Sequence, residues 1–263
     1  MKLLVTGNSL AGALRNAWPA IADDHPEIEL DFFVAPQKIF IGLETDGEGN
    51  FGLPEAAGAP AASRDWLERL NGRLSVRLAD YDAIIVVGLH FRIGAMLRTM
   101  ADYRVDGLKT IHTGGRLMSR RAFHALHDDV IGQELELLSG FPAECTIVIP
   151  GNRPAEGVGG DEGFTGEIWA PVDSPDAGLR PTIDLLYGRV AEAIAARGMT
   201  PILQPPDTLV ASGLTRAEFA GGPRLDPGRN EDSPRRDHAH LTVAFGARLW
   251  QPILAEIARR AEG

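Results

Sequence analysis

Five short apolar runs, alternating with stretches of helical period, limit the architectures open to this chain. They fall at residues 2–6, 29–35, 83–87, 145–149 and 200–204. The second and third, ELDFFVA and AIIVV, are apolar enough to be buried on both faces, as strands of a helix-covered parallel sheet are. Leu10, Leu14, Ala17 and Ile21 recur at helical spacing, as do Leu67, Leu70, Leu74 and Leu78 in a helix expected over 63–79. Further helices are expected over about 92–101, 118–139, 182–196 and 242–261, the second with Phe123, Leu126, Val130 and Leu137 on its apolar face. This alternation predicts a three-layer α/β/α fold on a doubly wound, five-stranded parallel sheet of flavodoxin-like order. The chain reads as one domain over 1–263, with long irregular connections at about 36–62, 150–181 and 205–236. In such sheets the ligand crevice lies beyond the carboxyl ends of the strands.

Composition narrows the function classes. A formal net charge of −10 repels nucleic-acid phosphates and anionic lipid surfaces, so neither nucleic acid nor membrane is an expected partner. No apolar run approaches the roughly 20 residues that a bilayer core demands, and the opening run ends in a turn signal instead of an export signal. Cys145 is the only cysteine, which excludes an intramolecular disulfide and a thiolate zinc site within one chain. The expectation is a soluble, cytoplasmic protein. Nucleotide cofactors lose their anchors: the glycines after the first strand do not form G-x-G-x-x-G, and Gly7 and Gly12 have phosphate-loop spacing but are followed by Ala13 and Leu14. No cofactor or metal is expected.

What stands at the predicted crevice is Ser9, in Gly7-Asn8-Ser9-Leu10 directly after the first strand. Near the other end, Asp237-His238-Ala239-His240-Leu241 precedes the last helix. Together they supply a hydroxyl, an imidazole and a carboxylate, the minimum set for acyl transfer through a serine. A strand-to-helix turn also puts the Ser9 N–H at a helix N-terminus, where developing negative charge is favoured. The G-x-S-x-G elbow of α/β-hydrolases fits less well, because Ala11 takes its last place and the serine ends the first strand.

These two segments, in this order, resemble the SGNH/GDSL hydrolase superfamily, in which G-D-S-[LH] follows the first strand and D-x-x-H precedes the last helix. Asn8 stands where the family has Asp. The resemblance implies Ser9 as nucleophile, His240 as general base and Asp237 as the carboxylate orienting it. It also implies an oxyanion hole completed by a glycine after the second strand, for which Gly42 is the candidate, and by a G-x-N block after the third. Here that block is Gly88-Leu89-His90, so His90 occupies the Asn position. The implied activity is hydrolysis of a small acyl ester, such as an acetyl group on a carbohydrate; an acceptor other than water makes the same site an acyltransferase.

Plainer readings stand beside these. Ser9 can serve only to cap the first helix, and Asn8 only to stabilise the turn. Asn8 and His90 also keep open a non-hydrolytic protein of the same fold that binds a small ligand. His124 and His127, with Asp128 and Asp129, have helical spacing for metal-dependent hydrolysis, but they read more simply as a solvated polar face. Arg235-Arg236, just before Asp237, are placed to steer an anionic substrate.

Overall fold

The computed structural model describes residues 1–54, 60–110, 115–161, 164–174, 178–222 and 240–262. The chain opens with β1 (Lys2–Gly7), α1 (Leu10–Ala17), β2 (Glu29–Val34), α2 (Gln37–Phe40), β3 (Glu44–Thr45) and β4 (Asn50–Gly52). It continues through α3 (Ala61–Asn71), β5 (Ser75–Arg77), β6 (Ala83–Leu89), α4 (Ile93–Asp102), β7 (Tyr103–Val105) and β8 (Arg116–Met118). Then follow α5 (Arg120–Leu135), β9 (Thr146–Pro150), α6 (Phe164–Asp173), α7 (Arg180–Ala196), β10 (Thr200–Pro201) and α8 (Val243–Ala261).

The central sheet has five parallel strands in the order β10-β9-β6-β1-β2. Successive residues of a strand point to opposite faces, and the two cores divide accordingly. Leu3, Val5, Ile85, Val87 and Ile147 pack with α1 and α8, whereas Leu4, Ile84, Val86 and Val148 pack with α3, α4, α5 and α7. The result is the expected three-layer α/β/α architecture.

Helices α1 and α8 run side by side in the same direction. Gly246 faces Ala13, where a Cβ would fall 2.1 Å from the Ala13 carbonyl oxygen, so only glycine allows this approach. Four residues on, Trp250 packs against Trp18 with ring centroids 4.8 Å apart and planes tilted by 48°, and its Nε1 donates to the Leu14 carbonyl at 3.0 Å. Four residues back from the first contact brings Ser9 level with Thr242. Both helices therefore start at the edge of the sheet where its strands end.

Several expected irregular segments are ordered. The 36–62 connection carries α2, β3 and β4, which with β5 form a small antiparallel sheet. Its strands are two or three residues long, too short for an alternating pattern to register. The helix expected over 63–79 stops at Asn71, because Gly72 adopts the left-handed cap conformation (φ 68°) and Ser75–Arg77 join that sheet. The 150–181 connection contains α6, and 205–222 contains two 3₁₀ turns, Pro206–Thr208 and Ala217–Phe219. Among the described residues no helix is long and apolar enough to cross a membrane.

The buried face of α5 is also rotated from its expected position. Phe123, His127, Ile131 and Leu135 form the inner stripe, while Leu126 is 41% exposed. His127 is fully buried, not solvated, and neither ring nitrogen has a hydrogen-bond partner. Desolvation, with the Arg189 guanidinium nearby, pushes its pKa down to about 4. Among the described residues no group of three His, Cys, Asp or Glu side chains converges to hold a metal.

Because the unfolded chain takes up this proton near pH 6.5 and the folded chain only near 4, stability is complete above 6.5 and is lost as pH falls through that window. The expected loss is on the order of 3 kcal/mol. Urea unfolding of wild type and His127→Leu at pH 7 and pH 4.5 checks this. The variant should be at least as stable at pH 7 and should lose much less on acidification.

Candidate functional site

Ser9 lies between the last residue of β1 and the first turn of α1. Its backbone is α-helical (φ −58°, ψ −21°) and its side chain makes no capping hydrogen bond. The capping is done by Asn8, whose Oδ1 accepts the Leu10 N–H at 3.1 Å. Ser119 and Thr242, by contrast, are working N-caps of α5 and α8, accepting from Ala122 N and Phe245 N. The half-buried Ser9 hydroxyl is left facing a cavity.

Asn8 is 3% exposed and satisfies the turn from inside. Its Nδ2 donates to the Gly88 carbonyl at 2.5 Å and to Gln37 Oε1 at 2.6 Å. The same amide edge faces His90 Nε2 at 3.4 Å. Both Nδ2 protons are engaged by the Gly88 and Gln37 oxygens, so the imidazole packs against this amide without receiving a proton from it. His90 keeps an exposed edge, and desolvation of the rest of the ring lowers its pKa from the ordinary value. Replacing Asn8 by the Asp of G-D-S-L would set an acceptor against the Gly88 carbonyl. We expect Asn8→Asp to cost about 1–3 kcal/mol, measured by urea unfolding.

His90 directly follows β6 and begins an unusual turn. Phe91 and Arg92 both have left-handed backbones (φ 47° and 44°), each costing roughly 1–3 kcal/mol for a non-glycine residue. The turn is held from the next layer by Glu134 of α5, whose Oε2 accepts the Phe91 N–H at 2.7 Å and which also accepts from the Arg92 backbone. Burial raises the Glu134 pKa, and the Phe91 N–H, the Arg92 charge and the Arg92 N–H oppose the rise. Phe91 is fully buried, whereas Arg92 is exposed.

The cavity has a volume of about 330 Å³, with Asn8, Ser9, His90 and Arg92 on one side. Opposite lie Asn152, Ile168, Trp169 and Tyr187, contributed by the end of β9, by α6 and by α7. The Tyr187 hydroxyl donates to the Gly151 carbonyl at 3.4 Å. Arg153, 6% exposed, pairs with Asp184 at 2.8 Å and donates to the Gly213 carbonyl, which anchors the 151–154 wall.

No family model matches this sequence, and no curated protein does. Among solved structures, a GDSL-like lipase from Bacteroides thetaiotaomicron is similar. The alignment covers 99% of this chain and 88% of that one, at 10% identity and a TM-score of 0.42.

Of the expected site residues, Ser9, Asn8 and His90 line the one cavity. Gly88 lies behind it, in contact with Asn8. His240 is half-buried two residues before Thr242, its carbonyl accepts the Gly222 N–H at 3.1 Å, and it is not among the residues lining the cavity. Asp237, His238, Arg235, Arg236 and His112 lie outside the described residues. Gly42 is exposed, its N–H closes a turn onto the Ile39 carbonyl at 2.9 Å, and it does not line this cavity. Arg92, Glu134, Asn152, Trp169 and Tyr187 were not among the expected site residues. Only Arg92, two residues after the G-x-H block, lay close enough in sequence to draw notice.

Proposed function

We propose that this protein is a serine acyl hydrolase of small esters, with Ser9 as nucleophile, His240 as general base and Asp237 as the carboxylate that orients it. As Ser9 Oγ bonds to the ester carbonyl carbon, His240 takes the hydroxyl proton. It passes that proton to the alcohol oxygen as the C–O bond breaks. Water then adds to the acyl-enzyme by the same route, releasing the acid and restoring Ser9. The negative charge on the carbonyl oxygen is received by the Ser9 N–H at the start of α1. Small acyl groups carried on a carbohydrate suit the volume of the cavity, and transfer to another hydroxyl uses the same acyl-enzyme.

The observation that carries this reading is the Ser9 hydroxyl itself. At a helix start where serine ordinarily caps, Asn8 performs the capping and Ser9 is turned to the cavity. The test is turnover of 4-nitrophenyl acetate and 4-nitrophenyl butyrate. Wild type should hydrolyse one or both, and His240→Gln should lower kcat by at least about 10³. A well-folded wild type inert to both and to the anionic 4-nitrophenyl hemisuccinate contradicts the reading.

One observation favours the second reading, a ligand-binding protein without turnover. His90 stands where the family has Asn, and its Nε2 packs against Asn8 Nδ2 at 3.4 Å, so the turn beneath Ser9 takes up one of its ring nitrogens. Losing one oxyanion donor typically costs about 10²–10³ in turnover.

A further inference from the structure

We propose that the cavity in front of Ser9 selects an ester bearing an oxyanion group, a carboxylate or a phosphate, and that the Arg92 guanidinium binds it. The inference rests on the acyl-hydrolase reading and names its substrate class. Among the described lining residues no carboxylate is present, and Arg92 is the one that carries charge at neutral pH. Glu134 accepts the backbone N–H groups of Phe91 and Arg92 and so holds the turn, and the Arg92 charge acts on the same carboxylate.

Backbone conformation points the same way. Phe91 has a packing reason to accept a left-handed backbone, because its ring is fully buried. Arg92 has none: its side chain is exposed, and Gly or Asn would suit φ 44° better. Strain of this kind persists where the surroundings hold it for a purpose. What the strained residue contributes is a cation at the cavity mouth, directly before the N-terminus of α4, whose field has the same sign. A guanidinium also grips carboxylate and phosphate oxygens two at a time. The chain's net charge of −10 disfavours anions in general, so attraction here is local. Ile93, Ile168, Trp169 and the Tyr187 ring give the remaining wall an apolar character, and about 330 Å³ is at the small end of ligand cavities. The fitting substrate is therefore a compact ester with an apolar or aromatic body and one anionic end.

Binding is measured by calorimetry with three unreactive amides of similar length: N-phenylsuccinamate, its phosphonate counterpart N-phenyl-3-phosphonopropanamide, and neutral N-phenylbutanamide. On wild type and on Ser9→Ala, at least one charged amide should bind about tenfold or more tighter than the neutral one. The tighter of the two identifies the oxyanion. Arg92→Gln and Arg92→Asn should each bring the charged-to-neutral ratio to about one, and Arg92→Lys should retain part of it. Since Asn tolerates the left-handed backbone, Arg92→Asn should also melt no lower than wild type, which separates lost selection from lost fold. Equal binding of charged and neutral amides to wild type, or a preference that survives Arg92→Asn, overturns the proposal. Selective binding without hydrolysis of 4-nitrophenyl hemisuccinate upholds the oxyanion site and removes the hydrolase reading. Hydrolysis of 4-nitrophenyl butyrate without selective binding does the reverse.

Discussion

Ser9→Ala should lower ester turnover by roughly 10⁴-fold or more while leaving the protein as stable as wild type. Removing a nucleophile leaves only the rate that binding and oxyanion stabilisation provide. The stability half of this expectation sets it apart from an ordinary helix-start serine. A capping serine costs about 1 kcal/mol when truncated, because its oxygen accepts a backbone N–H. Ser9 makes no such bond, and Asn8 Oδ1 takes the Leu10 N–H in its place. The melting temperature of Ser9→Ala should therefore stay within about 2 °C of wild type, whereas Ser119→Ala, which removes a working cap from α5, should fall by about 2–4 °C. Calorimetry and 4-nitrophenyl ester kinetics on the two variants make the comparison. Equal destabilisation of both would mean that Ser9 is a cap after all.

Gly88→Ala should be the most damaging of the small substitutions, costing about 4 kcal/mol or preventing folding. Gly88 has φ +90°, which an L side chain rarely adopts, and a Cβ there would fall 1.9 Å from Asn8 Oδ1. The obstacle cannot move freely. Asn8 is held by the Leu10 N–H on one side and by the Gly88 carbonyl and Gln37 on the other, so displacing it leaves buried polar groups unpaired beneath the Ser9 turn. Activity should fall along with stability, because this turn carries the hydroxyl. Gly47→Ala is the control: a Cβ there meets nothing within 4 Å, and the urea midpoint should be unchanged within about 0.5 kcal/mol.

All five central strands lie where their apolar runs predict; β1, β6 and β9 are buried on both faces and have a strong local signature, while the edge strands β2 and β10 are only partly buried. Ser9 at the end of β1 followed from the same pattern. The small antiparallel sheet did not, since two- and three-residue strands in a Gly- and Pro-rich stretch depend on pairing partners elsewhere in the chain. His127 was misread although its signal was present: Phe123, His127, Ile131 and Leu135 are spaced by four, and a stripe drawn through apolar residues alone passes over the histidine. Gly42 was assigned by position after the second strand, and its N–H turned out to be bonded within its own loop. The far wall of the cavity comes from Asn152, Ile168, Trp169 and Tyr187, residues 60 or more positions beyond His90 in sequence. No local pattern brings such residues together; the winding of the sheet does.

Labelling with a fluorophosphonate, followed by mass spectrometry of the modified peptide, tests the central claim most directly. An activated serine attacks phosphorus and expels fluoride, so the label reports hydroxyl, base and oxyanion donor together. The account predicts modification of wild type at Ser9, none in Ser9→Ala and at least about 100-fold slower labelling in His240→Gln. Folded wild-type protein that takes no label, or that carries it on another residue, would contradict it.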